Sequence, residues 1–490
     1  MAQLQGFAKP TAREADDLVT TNINTPGMKL SRISKLLVDG SEVTTDEALA
    51  RRQKFAISIR CGADVRQSRT LQLAVLTAAN IANRCFPGAI TVQLEAGLAD
   101  APLLLWRNTE FSFGRALMEL LGAEAVTDFP NPDSRILLFG NVAATPGALR
   151  ATFDGWIARV GPATTVDPLP HRQYCGLSGV LAGALAISEL FLSFAQLSVE
   201  AGHRTVGLSL WRPDLEISDP AALGVNVKFL PRDMWVLGLG HLGNAYLWAL
   251  AALPYAQSPA PEVFLNDFDR IERENVETGM IFGLADQGMH KTRVCSKWLE
   301  TRGFRTRIIE RRFDSKFRCR TTNPDAEPRL ALCGFDSNPA RRDLETAGFT
   351  RVLESGLGGT KDNFDTISFH ALPNPRAAKE LWPDLTPEEE TKHREQREHL
   401  ARENRGYAGL ASDDCGRAEL AGKSVAVPFV GAVASTLVLA EAIRLLHGGQ
   451  AYTDIKLGLS DLNRRFAATA RTYGAEDLIG MEYSDAALDR

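Results

Sequence analysis

The chain has 490 residues, of which 44% are apolar and 23% are charged, and its formal net charge is −5. This composition is typical of a globular protein of about two to four domains, and it excludes the collagen-like, coiled-coil and disordered classes. The near-neutral charge argues against a nucleic-acid coat protein, so we predict no nucleic-acid partner. The seven cysteines include no C-x-x-C pair and the first residues are polar, so we expect a reducing cytoplasm.

The first half of the chain predicts a strand–helix–strand unit. We expect a strand at Lys54–Arg60, a helix at Thr70–Phe86 and a second strand at Ala89–Leu94. The glycine-rich loop that would bind a nucleotide is missing between the first strand and the helix. This half therefore has the skeleton of a nucleotide-binding domain without its fingerprint.

Each half also contains an apolar run rich in small residues. The runs 176–188 and 425–440 stop at Glu189 and Glu441, short of the roughly 20 residues that a membrane span requires. We therefore predict buried helices and no membrane association. Both runs share glycine, small residues and glutamate at the same offsets, which, with the strand–helix–strand unit, indicates a degenerate tandem duplication.

The strongest local pattern lies just past the midpoint. An apolar strand runs into G-x-G-x-x-G at Gly238, Gly240 and Gly243, and a helix, a second strand and the acid Asp267 follow. This is the order of a Rossmann nucleotide-binding unit. The first two glycines permit a tight turn and close approach to a phosphate, the third lets the helix pack on the sheet, and Asp267 is placed to bind ribose hydroxyls. A nicotinamide dehydrogenase remains a distant alternative.

Further motifs follow in register: Asp267-Phe-Asp269, Asn275, Gly288-Met-His-Lys291, and Asp336 with Ala340-Arg341. With the glycine loop, this pattern resembles the adenylating enzymes of the ThiF-type superfamily, which activate ubiquitin-like proteins and sulfur carriers. The resemblance implies an α/β fold of two Rossmann-like adenylation domains in tandem, the first degenerate and the second with a crossover-loop insertion. It places the inactive domain at 1–228, the active ATP-binding domain at 229–450 with a crossover loop at 360–424, and a C-terminal strand and tail at 451–490.

The resemblance also implies a role for each motif residue. Lys291 would contact the phosphates of ATP, Asp336 would bind Mg²⁺, and Asp267 would bind the ribose with Asp269 and Asn275 nearby. Adenylation needs such groups, since two anions must be brought together at the α-phosphate. Taken singly, Lys291 also fits a solvated helix residue, Asp336 a turn or cap, and Asn275 a turn former.

One position departs from the family pattern. Relatives commonly have Arg-Gln three residues after the asparagine, whereas this chain has Thr278 and Gly279. Another arginine would then come from the neighbouring domain. We take four first-half arginines as unranked candidates, each of which also fits a surface residue: Arg51, Arg52, Arg66 and Arg69.

The insert after Gly359 contains a charged helical run, Thr386–Arg405, and then Cys415. The position of Cys415 before Ser424–Gly431 resembles the catalytic-cysteine position on the crossover loop of compact activating enzymes. Its thiolate would attack the acyl adenylate and form a thioester. Asp413 and Asp414 oppose this role, because their charges would raise the thiol pKa unless Arg417 or the charge of the domain offsets them.

Three other cysteines are predicted to pack in the core: Cys295, Cys319 and Cys333. The arginine-rich stretch Arg302–Arg320 has interleaved acids and few aromatics, so it fits a solvated strand edge or a surface for an acidic partner better than a nucleic-acid groove. In the tail, Asp454–Leu459 predicts a strand.

The resemblance implies an ATP- and Mg²⁺-dependent activating enzyme. Its partners would be a ubiquitin-like protein with a C-terminal glycine and a conjugating enzyme, in a pseudo-dimer within the chain or a homodimer. The arrangement resembles enzymes of bacterial ubiquitin-like operons, including antiphage ones. Two alternatives stay open: a sulfur-carrier or peptide adenylyltransferase without an enzyme thioester, and a non-catalytic partner subunit.

Overall fold

The computed structural model describes residues 31–41, 43–105, 111–127, 133–256, 258–320, 326–407 and 419–487. Its architecture is α/β, with one mainly parallel sheet in each half of the chain and helices packed against both sheets. The predicted fold class, two Rossmann-like units in tandem, is confirmed. The two sheets position the candidate site, which lies in the second half.

The first half builds a sheet of six strands among the described residues. Its strands are β1 (Ile57–Cys61), β2 (Ile90–Leu94), β3 (Arg135–Phe139), β4 (Leu149–Asp154), β5 (Ile157–Pro162) and β6 (Val206–Ser209). The order is β2-β1-β3-β4-β5-β6, parallel up to β4 and antiparallel from β4 to β6. Its helices are α1 (Arg32–Ser41), α2 (Thr45–Gln53), α3 (Arg69–Cys85), α4 (Phe113–Leu121) and α5 (Leu177–Phe194).

The second half builds a larger sheet. Its strands, and those of a separate antiparallel pair, are β7 (Phe229–Pro231), β8 (Asp233–Leu237), β9 (Glu262–Asn266), β10 (Arg305–Ile309), β11 (Leu330–Cys333), β12 (Arg351–Leu357), β13 (Thr366–Leu372), β14 (Gln450–Gly458), β15 (Asp461–Thr472) and β16 (Tyr483–Asp485). The sheet order is β10-β9-β8-β11-β12-β13-β14-β15, and β16 pairs with β7. Its helices are α6 (His241–Ala251), α7 (Arg273–Thr278), α8 (Lys291–Glu300), α9 (Asn338–Asp343), α10 (Ala378–Leu381), α11 (Pro387–Glu403) and α12 (Pro428–Leu446).

Short 3₁₀ helices connect these elements at Ala63–Gln67, Ala123–Ala125, Pro220–Leu223, Leu284–Asp286, Leu344–Thr346, Arg405–Tyr407 and Ala475–Leu478. Strand β13 lies inside the stretch predicted as a crossover loop. Its alternation buries Ile367, Phe369 and Ala371 on one face and leaves polar residues on the other, which is the period of a half-buried strand. It extends the parallel sheet in antiparallel fashion together with β14 and β15.

The two halves share one hydrophobic core. The apolar helices α5 and α12 are long and apolar enough to span a membrane, but 89% and 94% of their apolar windows are buried inside the fold. They pack against each other and against α3 and α6. Trp248 of α6 donates a 3.0 Å hydrogen bond to Thr77 of α3 across this junction. The predicted buried helices are confirmed, and they join the halves into one body.

Candidate active site

A cavity of about 970 Å³ opens at the carboxyl ends of β8, β9, β11 and β12. Ligands of open α/β sheets bind at this edge, where the strand order reverses. Of the residues predicted to bind ATP and Mg²⁺, Gly243 lies outside the lining of the cavity, and the lining includes Gly238, Gly240, Asp267, Asp269, Asn275, Lys291 and Asp336. Its size is that of a site for a nucleotide-sized ligand.

The glycine loop forms one wall of the cavity. Gly238 has φ +78°, a left-handed conformation that favours glycine. A Cβ on Gly243 would lie 2.0 Å from the Gly238 carbonyl oxygen, so this position lets the first turn of α6 sit against the loop. A Cβ on Gly240 would meet no atom within 4 Å, because this residue faces open space. The backbone N–H groups at the start of α6 are therefore accessible to an anion.

Three charged residues line the floor of the cavity. Asp267 accepts hydrogen bonds from the backbone N–H groups of Leu239 (2.7 Å) and Asp269 (2.8 Å), which ties the acid to the glycine loop. Burial raises the pKa of Asp267, a shift that the charge of Lys291 opposes. The buried Lys291 forms a 2.9 Å ion pair with Asp269, whose side chain is half exposed. The lysine is thus held at the cavity by a carboxylate that solvent can reach.

Asn275 and Thr278 lie on the short helix α7 at the cavity wall. The side-chain oxygen of Asn275 accepts a 2.9 Å hydrogen bond from the Glu272 N–H, which fixes the start of the helix. Thr278 is buried and donates to the Glu274 carbonyl oxygen at 3.2 Å. In this structure Asn275 therefore has the capping role that its residue type also suggests.

Asp336 follows β11 and is exposed to the cavity. Among the described residues there is no cluster of three or more His, Cys, Asp or Glu that would hold a metal by itself. Mg²⁺ in phosphate sites usually takes one or two carboxylates and completes its shell with phosphate oxygens and water. A single accessible carboxylate such as Asp336 fits that mode of binding.

The four arginines proposed as substitutes for the family arginine lie outside the cavity lining. Arg52 is buried and pairs with Glu277, while Arg69 donates to the carbonyl oxygens of Leu104, Ala252 and Leu253. Arg66 donates to the Gly97 carbonyl oxygen and Arg51 to Ser41. Arg52 and Arg69 thus bind the second half away from the cavity lining, whereas Arg51 and Arg66 bond within the first half.

The first half supplies a different arginine, Arg32 of α1. Its Nε lies 3.1 Å from Glu274 of α7, and its Nη1 donates to Ser424 Oγ at 2.8 Å. Lys423 also pairs with Glu274. Burial raises the pKa of Glu274, but Lys423 and Arg32 outweigh this and keep it below its ordinary value. No motif marks Arg32 in the sequence, because its place depends on how the halves pack.

Cys415 lies outside the described residues. The other six cysteines are described and buried, including Cys295, Cys319 and Cys333, which were predicted to pack in the core. Burial raises the pKa of each of these thiols, to about 11 in Cys319. A buried thiol with a raised pKa is a poor nucleophile.

Comparison with known proteins places the chain in a family. Residues 56–210 match the model of the BilD N-terminal domain, and residues 230–449 match that of the BilD C-terminal domain. A bacterial E1-like protein BilD from Collimonas sp. (strain OK412) is 34% identical over 433 residues, which cover 88% of this chain and 91% of the relative. The chain belongs to the BilD family of bacterial E1-like proteins.

Solved structures similar to this BilD family member are more distant. Escherichia coli MccB is 15% identical with a TM-score of 0.34, and the match covers 50% of this chain and 63% of MccB. A structure of MccB with ATP gives 14% identity and a TM-score of 0.33, covering 50% and 65%. The E. coli tRNA N6-threonylcarbamoyladenosine dehydratase TcdA is 14% identical with a TM-score of 0.28, covering 44% and 85%. The chain thus spans somewhat less than two thirds of the length of MccB.

Proposed function

We propose that this chain is an ATP-dependent activating enzyme that adenylates the C-terminus of a ubiquitin-like protein. The proposal rests on one observation: a single cavity brings together the glycine loop, Asp267, Lys291 and Asp336, and the first half adds Arg32. Membership of a family of E1-like proteins supports it. ATP would be the nucleotide, and the reaction would take place in the cytoplasm.

The residues of the cavity have distinct tasks in this reaction. The N–H groups at the start of α6 and the Lys291 ammonium bind the phosphates, and Asp267 accepts hydrogen bonds from the ribose. Asp336 would hold Mg²⁺, which, when bound, neutralises phosphate charge. Arg32 lines the cavity and contacts α7, where relatives have their own arginine, and it would leave Glu274 to Lys423 when it contacts a phosphate.

In the first step, a carboxylate oxygen of the partner attacks the α-phosphorus of ATP, and pyrophosphate leaves with the electrons of the broken P–O bond. In the second, the Cys415 thiolate attacks the acyl carbon and AMP leaves, so that a thioester conserves the activation. A conjugating-enzyme cysteine would then take the acyl group. We also propose, by analogy with the enzymes that the sequence resembles, that this chemistry serves a bacterial ubiquitin-like pathway with an antiviral role.

Pyrophosphate exchange tests the first step. The wild type should exchange label between pyrophosphate and ATP when supplied with a small protein ending in glycine that is encoded beside the chain's gene. Lys291→Ala should lose at least about a hundredfold in rate, because a phosphate cation is removed. Lys297→Ala, exposed on the same helix, should retain the wild-type rate. Equal absence of exchange in wild type and Lys291→Ala would favour a non-catalytic partner subunit.

A non-reducing gel tests the second step. Incubation with ATP and the same small protein should give a larger species that dithiothreitol removes and that Cys415→Ala does not form. Pyrophosphate exchange without such a species in the wild type would instead support a sulfur-carrier or peptide adenylyltransferase that makes no enzyme thioester.

A further inference from the structure

Three polar side chains form a row across the second sheet, on the face opposite α12. Glu354 of β12 is the register partner of His370 on β13, and His370 is the register partner of Asp454 on β14. Neighbouring side chains on one face of antiparallel strands contact each other, and these three do. His370 Nδ1 lies 2.9 Å from Glu354 Oε2, and its Nε2 lies 3.8 Å from Asp454 Oδ1.

The row ends at a cation of the candidate site. Glu354 is fully buried, and its second carboxylate oxygen lies 2.8 Å from Nε of Arg341, a residue of the cavity lining. The guanidinium lies over Gly356, since a Cβ there would be 3.2 Å from Nη2. Within the part of the chain that the structure describes, the other hydrogen-bond partner of the Arg341 side chain is Asn338, at 3.4 Å. The direction of this arginine is therefore set mainly by Glu354.

A buried carboxylate is costly unless a cation or a hydrogen-bond donor lies against it. Arg341 forms an ion pair with one oxygen of Glu354, without hydrogen-bond geometry, and His370 binds the other oxygen, with the Nδ1 proton donated to the carboxylate. Trp382 packs edge-on against the His370 ring, with centroids 5.5 Å apart, and Asp454 is itself held by Arg376. The imidazole is thus clamped from three sides.

We propose that His370 and Asp454 are positioning residues that fix Arg341, through Glu354, for the acyl end of the adenylate. Arg341 and Asp336 line the same cavity, and the Gly358–Gly359 turn lies beside them, so an extended tail entering over this turn would meet the guanidinium. This inference rests on the proposed adenylation. It also assigns a function to the C-terminal region, because Asp454, which belongs to β14, would help to position Arg341.

Calorimetry with two probes separates this idea from the proposed function. AMP reports the nucleotide part of the site, and 5′-O-(N-glycylsulfamoyl)adenosine, a stable mimic of glycyl adenylate, adds the acyl end. The ratio of the AMP Kd to the Kd of the mimic isolates the acyl contact. A wild type that binds neither probe would overturn the proposed function itself.

His370→Phe should lower this ratio by about tenfold to a hundredfold while the Kd of AMP stays within about twofold, because only the arginine is misplaced. His370→Asn, whose amide can donate to Glu354 as Nδ1 does, should restore most of the ratio. A general loosening of the fold would instead weaken both probes in parallel.

Gly356→Ala gives an independent displacement of Arg341, from its other side and without touching His370. It should lower the ratio in the same direction, and it serves as the test if His370→Phe does not fold. A wild type with equal affinity for both probes overturns the inference, as do a His370→Phe variant and a Gly356→Ala variant with the wild-type ratio.

Discussion

The cationic side chains of the site form ion pairs and hydrogen bonds with protein groups that the phosphates of a nucleotide can replace. Lys291 is buried against the half-exposed Asp269, and Arg32 is shared between Glu274 and Ser424. A buried cation without an anion is costly, so these ion pairs keep the cations at the cavity before a phosphate arrives. The site is thereby preorganised, which lowers the free energy needed to order it on binding.

His241 carries a pH dependence at the residue scale. Its Nε2 is buried near Gly431 of α12, and burial, with a smaller effect of Arg32, lowers its pKa to about 4. In the unfolded chain its pKa is about 6.5. Between these values the unfolded state binds more protons, so stability is lost as pH falls from 6.5 towards 4.

The variant His241→Gln tests whether His241 causes this pH dependence of stability. The loss of unfolding free energy between pH 7 and pH 4 should be about 2 kcal/mol smaller in the variant than in the wild type. The measurement is Tm against pH for both proteins. Parallel curves would show that the His241 pKa is not shifted in the fold.

At the scale of elements, the glycine loop must let α6 pack closely against it and must let a phosphate approach. Substitutions at Gly243 and Gly240 test these two requirements separately. Gly243→Ala would place a Cβ 2.0 Å from a backbone oxygen, so we expect a loss of about 1–3 kcal/mol in stability and weaker ATP binding. In Gly240→Ala the added Cβ has no atom within 4 Å, so its Tm should stay near the wild-type value. ATP binding should be lost, because the methyl group blocks the approach of a phosphate to the loop. Thermal shift with and without ATP measures both effects. A Gly240→Ala variant with a normal ATP-induced shift would contradict a phosphate at this loop.

Elements with strong local patterns were predictable from the sequence, and those set by long-range packing were not. The strand predicted at Ala89–Leu94, the helix predicted at Thr70–Phe86 and the charged helix α11 appear close to their predicted bounds. The predicted solvated strand edge is also present, since β10 is an edge strand with exposed arginines. Periodicity and turn residues determine such elements locally.

The rest of the site depends on pairing across the chain. The antiparallel extension by β13, β14 and β15 joins strands separated by about eighty residues, and only its tail strand was predicted. Arg32 reaches the cavity because α1 packs beside α7, more than two hundred residues later. No local pattern encodes such a juxtaposition, whereas the nucleotide motif lies within one strand–helix–strand unit.

At the scale of the whole molecule, the first half supports the site in the second. Arg52 and Glu277 form a 3.2 Å ion pair with side chains that are 1% and 0% exposed. Nearby, Arg84 donates to the Val276 and Phe282 carbonyl oxygens and Asn80 to that of Met280. These contacts fix the position of α7 and of the loop that follows it, and α7 carries Asn275 and Thr278 on the cavity wall.

A double-mutant cycle on this pair tests the coupling between the halves. Arg52→Leu leaves the Glu277 carboxylate buried without its cation, so we expect a loss of about 3–5 kcal/mol, while Arg52→Leu with Glu277→Leu should regain most of it. The single variant should also weaken ATP binding, because α7 shifts at the cavity, and the double variant should bind ATP more tightly than the single one. Tm values and ATP titrations of the wild type and the three variants measure both quantities. A single variant that loses stability but binds ATP as the wild type does would show that the first half stabilises the fold without shaping the site.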